Sequence, residues 1–215
     1  MRVQLIVLAK TPVPGRVKTR LCPPCTPEQA ARVAAAALAD TLDTVTSTPA
    51  AARVLVVDGD HPAPAGWARA VQRGGLLGER LTHAYADTLR PGVASLLIGM
   101  DTPQVSPVLL EEAVERLSAD GTDAVLGGAE DGGWWALGLR DPRHAKVLRH
   151  VATSTSQTGT RTLAALRSRG LRVAQLPVLR DVDTATDAHA VAARCPAGSR
   201  FALAVAQLVP SGLPA

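Results

Sequence analysis

Short apolar runs alternate with amphipathic stretches along the whole chain. Val3 to Ala9 (VQLIVLA), Arg53 to Val57 (RVLVV) and the run from Ser95 to Gly99 (SLLIG) read as strands buried on both faces, the pattern of a parallel sheet covered by helices. Asp123 to Leu126, Trp134 to Leu139 and Leu171 to Leu176 are further strands, and Trp67 to Gln72 is a short one. Between them lie helical patterns. Thr26-Pro27-Glu28 supplies a capping hydroxyl, a proline at the first helical position and an early acid, opening a helix that runs to about Thr46. Gly78 to Leu89 is helical with Leu81, Tyr85 and Leu89 on one stripe, and Ser106-Pro107 starts a helix ending before Gly121. Gln157 to Arg169, Thr184 to Arg194 and Phe201 to Leu208 complete the set. Such alternation predicts an α/β three-layer sandwich with a mostly parallel mixed sheet, one domain over residues 1–210 and a flexible tail at 211–215. There is no internal repeat or linker.

Composition narrows the classes. With 215 residues, 47% of them hydrophobic, the chain can bury a full core, and no apolar run reaches the length of a membrane span. The apolar start at Val3 is too short and too early for a signal peptide, so a cytoplasmic protein is expected. Net charge is a mild +4, with basic residues scattered except around Arg16 to Arg20. Three Trp, one Tyr and one Phe are too few for a surface that stacks single-stranded bases, so no nucleic-acid partner is expected. A phosphorylated small molecule explains the local basic cluster better. Cys22 and Cys25 form a C-x-x-C without a second pair at zinc spacing and are expected to stay reduced. His61, His83, His144, His150 and His189 show no ligand or triad spacing, and no G-x-S-x-G elbow occurs, which argues against a hydrolase.

Five stretches carry candidate chemistry. Gly99-Met100-Asp101-Thr102-Pro103 ends the central strand, which would deliver Asp101 to the cleft beyond the sheet; the carboxylate either holds a divalent metal or caps the next helix. The loop from Lys10 to Leu21 contains two prolines and a glycine, which rule out regular structure, and packs Arg16, Lys18 and Arg20 beside Gly15 and Thr19. Cations so close repel unless they share an anion, and the spacing is not a Walker A loop. The Gln72–Leu81 segment offers an amide able to read a base edge, with Arg80 at the next helix start, or is a plain glycine-rich turn. Glu130-Asp131-Gly132-Gly133-Trp134-Trp135 sets two acids at a strand edge; of the two tryptophans one faces the core. Finally, Asp181-Val182-Asp183 on an extended segment points both carboxylates to one side, unless Asp183 or Thr184 is only a helix cap.

Taken in order, AKTPVPGRVKTRL, QRGGLLGERL, IGMDTPQVSP, GGAEDGGWWALGL, TSTSQTGTRTL and DVDTATD resemble the bacterial rSAM/selenodomain-associated transferase family, from Val3 to about Asp187. That family sits in the nucleotide-diphospho-sugar transferase superfamily, and the chain also resembles, more distantly, molybdopterin and phospholactate guanylyltransferases. The resemblance implies a GT-A-like Rossmann-type fold and a glycosyltransferase-like activity. It implies a nucleotide, as NDP-sugar or NTP, whose phosphates are cradled by Gly15, Arg16, Lys18 and Arg20; Ala9, Lys10, Gln72, Gly74 and Gly99 are the further nucleotide contacts expected beside them. It also implies Mg²⁺ or Mn²⁺ at Asp101 and Asp183, with catalytic roles for Lys18, Arg20 and Asp101. Asp131 is the expected base for an acceptor hydroxyl of a small molecule. One departure stands out: the usual D-x-D after the central strand is a single acid, closer to the nucleotidyltransferase pattern, in which Lys18 and Arg20 would stabilise pyrophosphate. Glycosyl transfer ranks first, nucleotidyl transfer second and a non-catalytic nucleotide-binding module third; a homodimer is left open.

Overall fold

A computed structural model describes residues 1–210; the tail at 211–215 lies outside the described residues. Seven strands form one sheet: β1 (Val3–Lys10), β2 (Ala52–Asp58), β3 (Ala68–Val71), β4 (Ala94–Gly99), β5 (Ala124–Ala129), β6 (Trp134–Leu139) and β7 (Val173–Leu179). Their spatial order is β3-β2-β1-β4-β6-β5-β7. All pairings are parallel except those of β6, which runs antiparallel to both β4 and β5. Six α-helices accompany the sheet: α1 (Pro27–Ser47), α2 (Leu77–Asp87), α3 (Pro107–Ser118), α4 (Thr158–Arg167), α5 (Ala185–Ala192) and α6 (Arg200–Leu208).

The unbroken apolar runs are explained by two separate cores. On β1, Leu5, Val7 and Ala9 join the cluster under α1 and α3, whereas Ile6 and Leu8 face the cluster under α2 and α4. β4 divides the same way, with Leu96 and Ile98 on one side and Leu97 on the other. A third cluster, containing Leu21, Ala30, Val182, Val191 and Phe201, welds α1, α5 and α6 together beside the cleft. Local rules hold at the helix starts. Thr26 and Gln29 form a capping box on α1, Ser106 caps α3 ahead of Pro107, and Thr184 with Asp187 forms a second box on α5.

Several boundaries differ from the sequence expectation. Helix α2 stops at Asp87, so Leu89 leaves the stripe and is exposed; Pro91 and Gly92 follow and turn the chain. Strand β7 starts two residues and ends three residues later than expected, and α4 ends two residues early. Within the basic loop, Thr19–Leu21 makes a short 3-10 turn. A 3-10 helix over Pro142–His150 was not anticipated at all. Three of its four buried positions, Pro142, Ala145 and Leu148, repeat every three residues, with Val147 the fourth, a pattern that matches neither an α-helix nor a strand.

Candidate active site

The carboxyl ends of β1 and β4 open into a cavity of about 870 Å³, lined by the basic loop, the β5–β6 turn, residues 153–158 and the segment before α5. This is the crevice where open α/β sheets hold ligands. Lys10 closes β1 at its rim, and Arg16, Lys18 and Arg20 enter from the following loop. Gly15 takes a positive φ of 73° as the chain turns back, with the Arg16 N–H donating to the Val13 carbonyl at 3.0 Å. Lys18 is left-handed too, at φ 48°.

Lys18 is a cation almost sealed from water, its side chain only 8% exposed. Its Nζ lies 2.5 Å from Asp101 Oδ1 and 4.0 Å from Asp183 Oδ1, and donates to the Val182 carbonyl. Arg20 Nη1 pairs with Asp183 Oδ2 at 2.6 Å. A main-chain bond from Val182 N–H to the Asp101 carbonyl (2.9 Å) joins the strand end to the D-x-D segment. Neither acid is a helix cap, because Ser106 and Thr184 fill those positions. The Lys18 ammonium stands between the Asp101 and Asp183 carboxylates, the two acids expected to clamp a metal.

Three other oxygens converge instead. Asp131, Asp181 and Asp183 each offer a carboxylate oxygen, all within 4.8 Å of one another. The carboxyl of Asp181 is pushed up to about 6, by burial first and then by the charges of Asp131 and Asp183, with Lys18 opposing. Asp131 is oriented by the Gly133 N–H, which donates to its Oδ1 at 2.7 Å. Three hard oxygen donors crowded together fit Mg²⁺ or Mn²⁺ in chemistry and in charge. Asp101 is outside this trio.

The remaining candidates divide. Ala9, Gly99 and Gln72 line the cleft; the Gln72 Nε2 donates to the Ala9 carbonyl at 2.7 Å, so its amide donor ties β3 to β1. Gly15 and Gly74 do not line it and act through the backbone. Gly74 has φ 111°, and a Cβ there would meet Glu79 and His83 at 3.0 and 3.2 Å. Both tryptophans border the cleft: Trp135 is buried, its Nε1 donating to the Pro177 carbonyl at 2.9 Å, while half-buried Trp134 packs against the cluster under α2 and is the more open of the two. Glu130 is held away by Arg180 and Arg194.

Sequence reasoning gave no role to the hydroxyl row Thr153, Ser154, Thr155 and Ser156, all on the cleft wall, or to Asp181 as a ligand. The signal was present in the paired glycines. Gly159 N–H donates to the Gly132 carbonyl at 2.8 Å, and a Cβ on Gly159 would sit 2.6 Å from the Gly133 carbonyl oxygen. Only glycines let the 153–158 segment dock on the β5–β6 turn. Arg80 also lines the cleft and pairs with Asp58 at 2.8 Å.

The fold so built is shared with nucleotide-diphospho-sugar transferases. A protein of Desulfovibrio desulfuricans G20, provisionally named as one, is 27% identical over 96% of this chain and 98% of its own, with a TM-score of 0.83. The CMP:2-keto-3-deoxy-manno-octonic acid synthetase in complex with CTP superposes over 97% of this chain and 100% of its own (10% identity, TM-score 0.59). Rv0371c of Mycobacterium tuberculosis H37Rv, in complex with manganese, does so over 89% and 98% (22% identity, TM-score 0.54). The sequence matches no curated protein significantly. By sequence, residues 30–155 match the family described as an uncharacterized protein conserved in bacteria (DUF2064), and the chain belongs to that family.

Proposed function

We propose that the protein is a nucleotide-utilising transferase, glycosyltransferase-like, moving a sugar from a nucleoside diphosphate donor to the hydroxyl of a small acceptor. The observation that carries this reading is one cavity that joins Lys10, Arg16, Lys18 and Arg20 to three convergent carboxylates. The provisional name of the Desulfovibrio protein and the motif resemblance to the rSAM/selenodomain-associated transferases support it. No helix among the described residues is long and apolar enough to cross a membrane.

In this reading the diphosphate lies against Lys10, Arg16 and Arg20, whose forked and point charges neutralise the oxygens that gain charge as the sugar–phosphate bond breaks. Asp131, Asp181 and Asp183 would hold Mg²⁺ or Mn²⁺, which supplies charge neutralisation to the leaving diphosphate when bound; the manganese complex of Rv0371c is in keeping with that. The acceptor hydroxyl attacks the anomeric carbon, the donor C–O bond breaks, and its electron pair leaves on the nucleoside diphosphate. Asp131, the exposed member of the trio, takes the hydroxyl proton on the carboxylate oxygen that a metal would leave free. Trp134 and the hydroxyls of residues 153–156 form the wall against which the acceptor packs.

A second reading, nucleotidyl transfer from an NTP, is favoured by the single acid Asp101 at the strand end with Lys18 paired to it. Thermal shift with NDP-sugars and NTPs, each with and without Mn²⁺, separates the two. A ligand at about a hundredfold its Kd adds about 2.7 kcal/mol, or about 5–10 °C in Tm for a chain of this size. Stabilisation by an NDP-sugar beyond its matching NTP supports glycosyl transfer. The reverse order supports nucleotidyl transfer, and silence from both overturns the site.

A further inference from the structure

The 3-10 helix 142–150 packs against α2 and leaves between them a groove of about 410 Å³ that shares no lining residue with the cleft. Because positions three apart eclipse on a 3-10 helix, Arg143, Lys146 and Arg149 lie on one exposed face, their backbone positions about 6 Å apart along the axis. Pro142, Ala145, Val147 and Leu148 are buried and fix which face of the helix is turned outward. His83 and His150 stand at the rim, and Ala86 and Leu89 form an apolar wall.

The nearby acids are already engaged. Asp141 holds Arg143 in a fork, Asp87 is taken by Arg73, and Glu79 accepts the Gly75 N–H at 2.9 Å. Among the described residues no carboxylate comes within ion-pair distance of Lys146 or Arg149. The Arg149 guanidinium rests 3.5 Å from the His83 Nε2, while the other ring nitrogen of His83 donates to the Arg73 carbonyl at 2.9 Å. Lys146 and Arg149, neither paired with a carboxylate, stand beside an apolar wall in a groove large enough for a small molecule, and that combination of charge and shape suits an anion receptor.

We propose that this groove is a second ligand site, for a small organic phosphate. Lys146 and Arg149 take the phosphate oxygens, Arg143 flanks them, and the apolar body lies on Ala86 and Leu89. Through His83 the site touches the Arg73–Gly75 turn, whose Gly75 borders the cleft, so an occupant of the rear groove sits one side chain from the donor loop. The proposal does not depend on which reaction the cleft performs.

Calorimetric titration with phenyl phosphate tests it, using an Arg16→Ala/Arg20→Ala background to weaken the cleft's own anion contacts. We expect one saturable site there, weakened at least about tenfold by adding Lys146→Ala and Arg149→Ala, with the ligand-free melting temperature unchanged. Inorganic phosphate and phenylacetate are expected to bind at least about tenfold more weakly than phenyl phosphate. The same affinity with and without the rear substitutions, or no saturable binding in the background, overturns the site. Equal binding of inorganic phosphate overturns the apolar contact, and equal binding of phenylacetate overturns the phosphate assignment.

Discussion

Replacing Asp181 with Asn should make the metal-free protein more stable, and only above mildly acidic pH. The carboxyl rises from an ordinary 3.8 to about 6 in the folded chain, so between those values the folded state binds more protons than the unfolded one. Stability then falls as pH rises through that window, and the whole cost is present above it. A rise of that size corresponds to about 3 kcal/mol, and screening at this half-buried position brings the expected gain to about 1–3 kcal/mol. Asn keeps the size and loses the charge, relieving the repulsion from Asp131 and Asp183. Urea unfolding at pH 3.5 and pH 8 measures it: wild type and D181N should differ little at pH 3.5, below both values, and diverge at pH 8. Mn²⁺ should stabilise wild type at pH 8 and leave D181N nearly unmoved. If D181N is less stable than wild type at pH 8, or if its advantage is the same at both pH values, the crowding argument is refuted.

Lys18→Met should lower donor affinity by about 10- to 100-fold, read by titration, because the one near-buried cation of the cleft is lost and Asp101 is left without its partner. Gly159→Ala should cost about 1–3 kcal/mol in urea unfolding and raise the acceptor KM, since its methyl group meets the Gly133 carbonyl and pushes the 153–158 segment off the β5–β6 turn. Trp135→Ala should cost about 3–5 kcal/mol by removing a buried ring and its bond to Pro177. Trp134→Ala should cost less than about 1.5 kcal/mol and act on the acceptor KM instead; equal destabilisation by the two would contradict their assignment to core and cleft.

Much of this was legible in the chain. Apolar residues on both faces of β1 and β4 identify central parallel strands, and capping residues at Thr26, Ser106 and Thr184 locate three helix starts. The alternation of an extended backbone put Asp181 and Asp183 on one side, as found. That Asp131 joins them was hidden, because it depends on register: β5 runs beside β7, and the Glu130 N–H bonds the Leu179 carbonyl at 2.9 Å just before the D-x-D. Lys18 was read as a phosphate ligand, yet its pairing with Asp101 arises from how the basic loop folds back over the strand end. The 3-10 helix escaped because a three-residue repeat in a charged segment resembles neither regular pattern. Local chemistry shows in sequence, whereas convergence across the sheet needs the pairing.

The account rests on a nucleotide and a metal sharing the cleft, and anomalous diffraction from crystals soaked with Mn²⁺ and a nucleoside diphosphate tests that most directly. A manganese peak is predicted among Asp131, Asp181 and Asp183, with the diphosphate against Lys10, Arg16 and Arg20. Manganese bound elsewhere, or a diphosphate that leaves the cleft empty at saturating concentration, would contradict it.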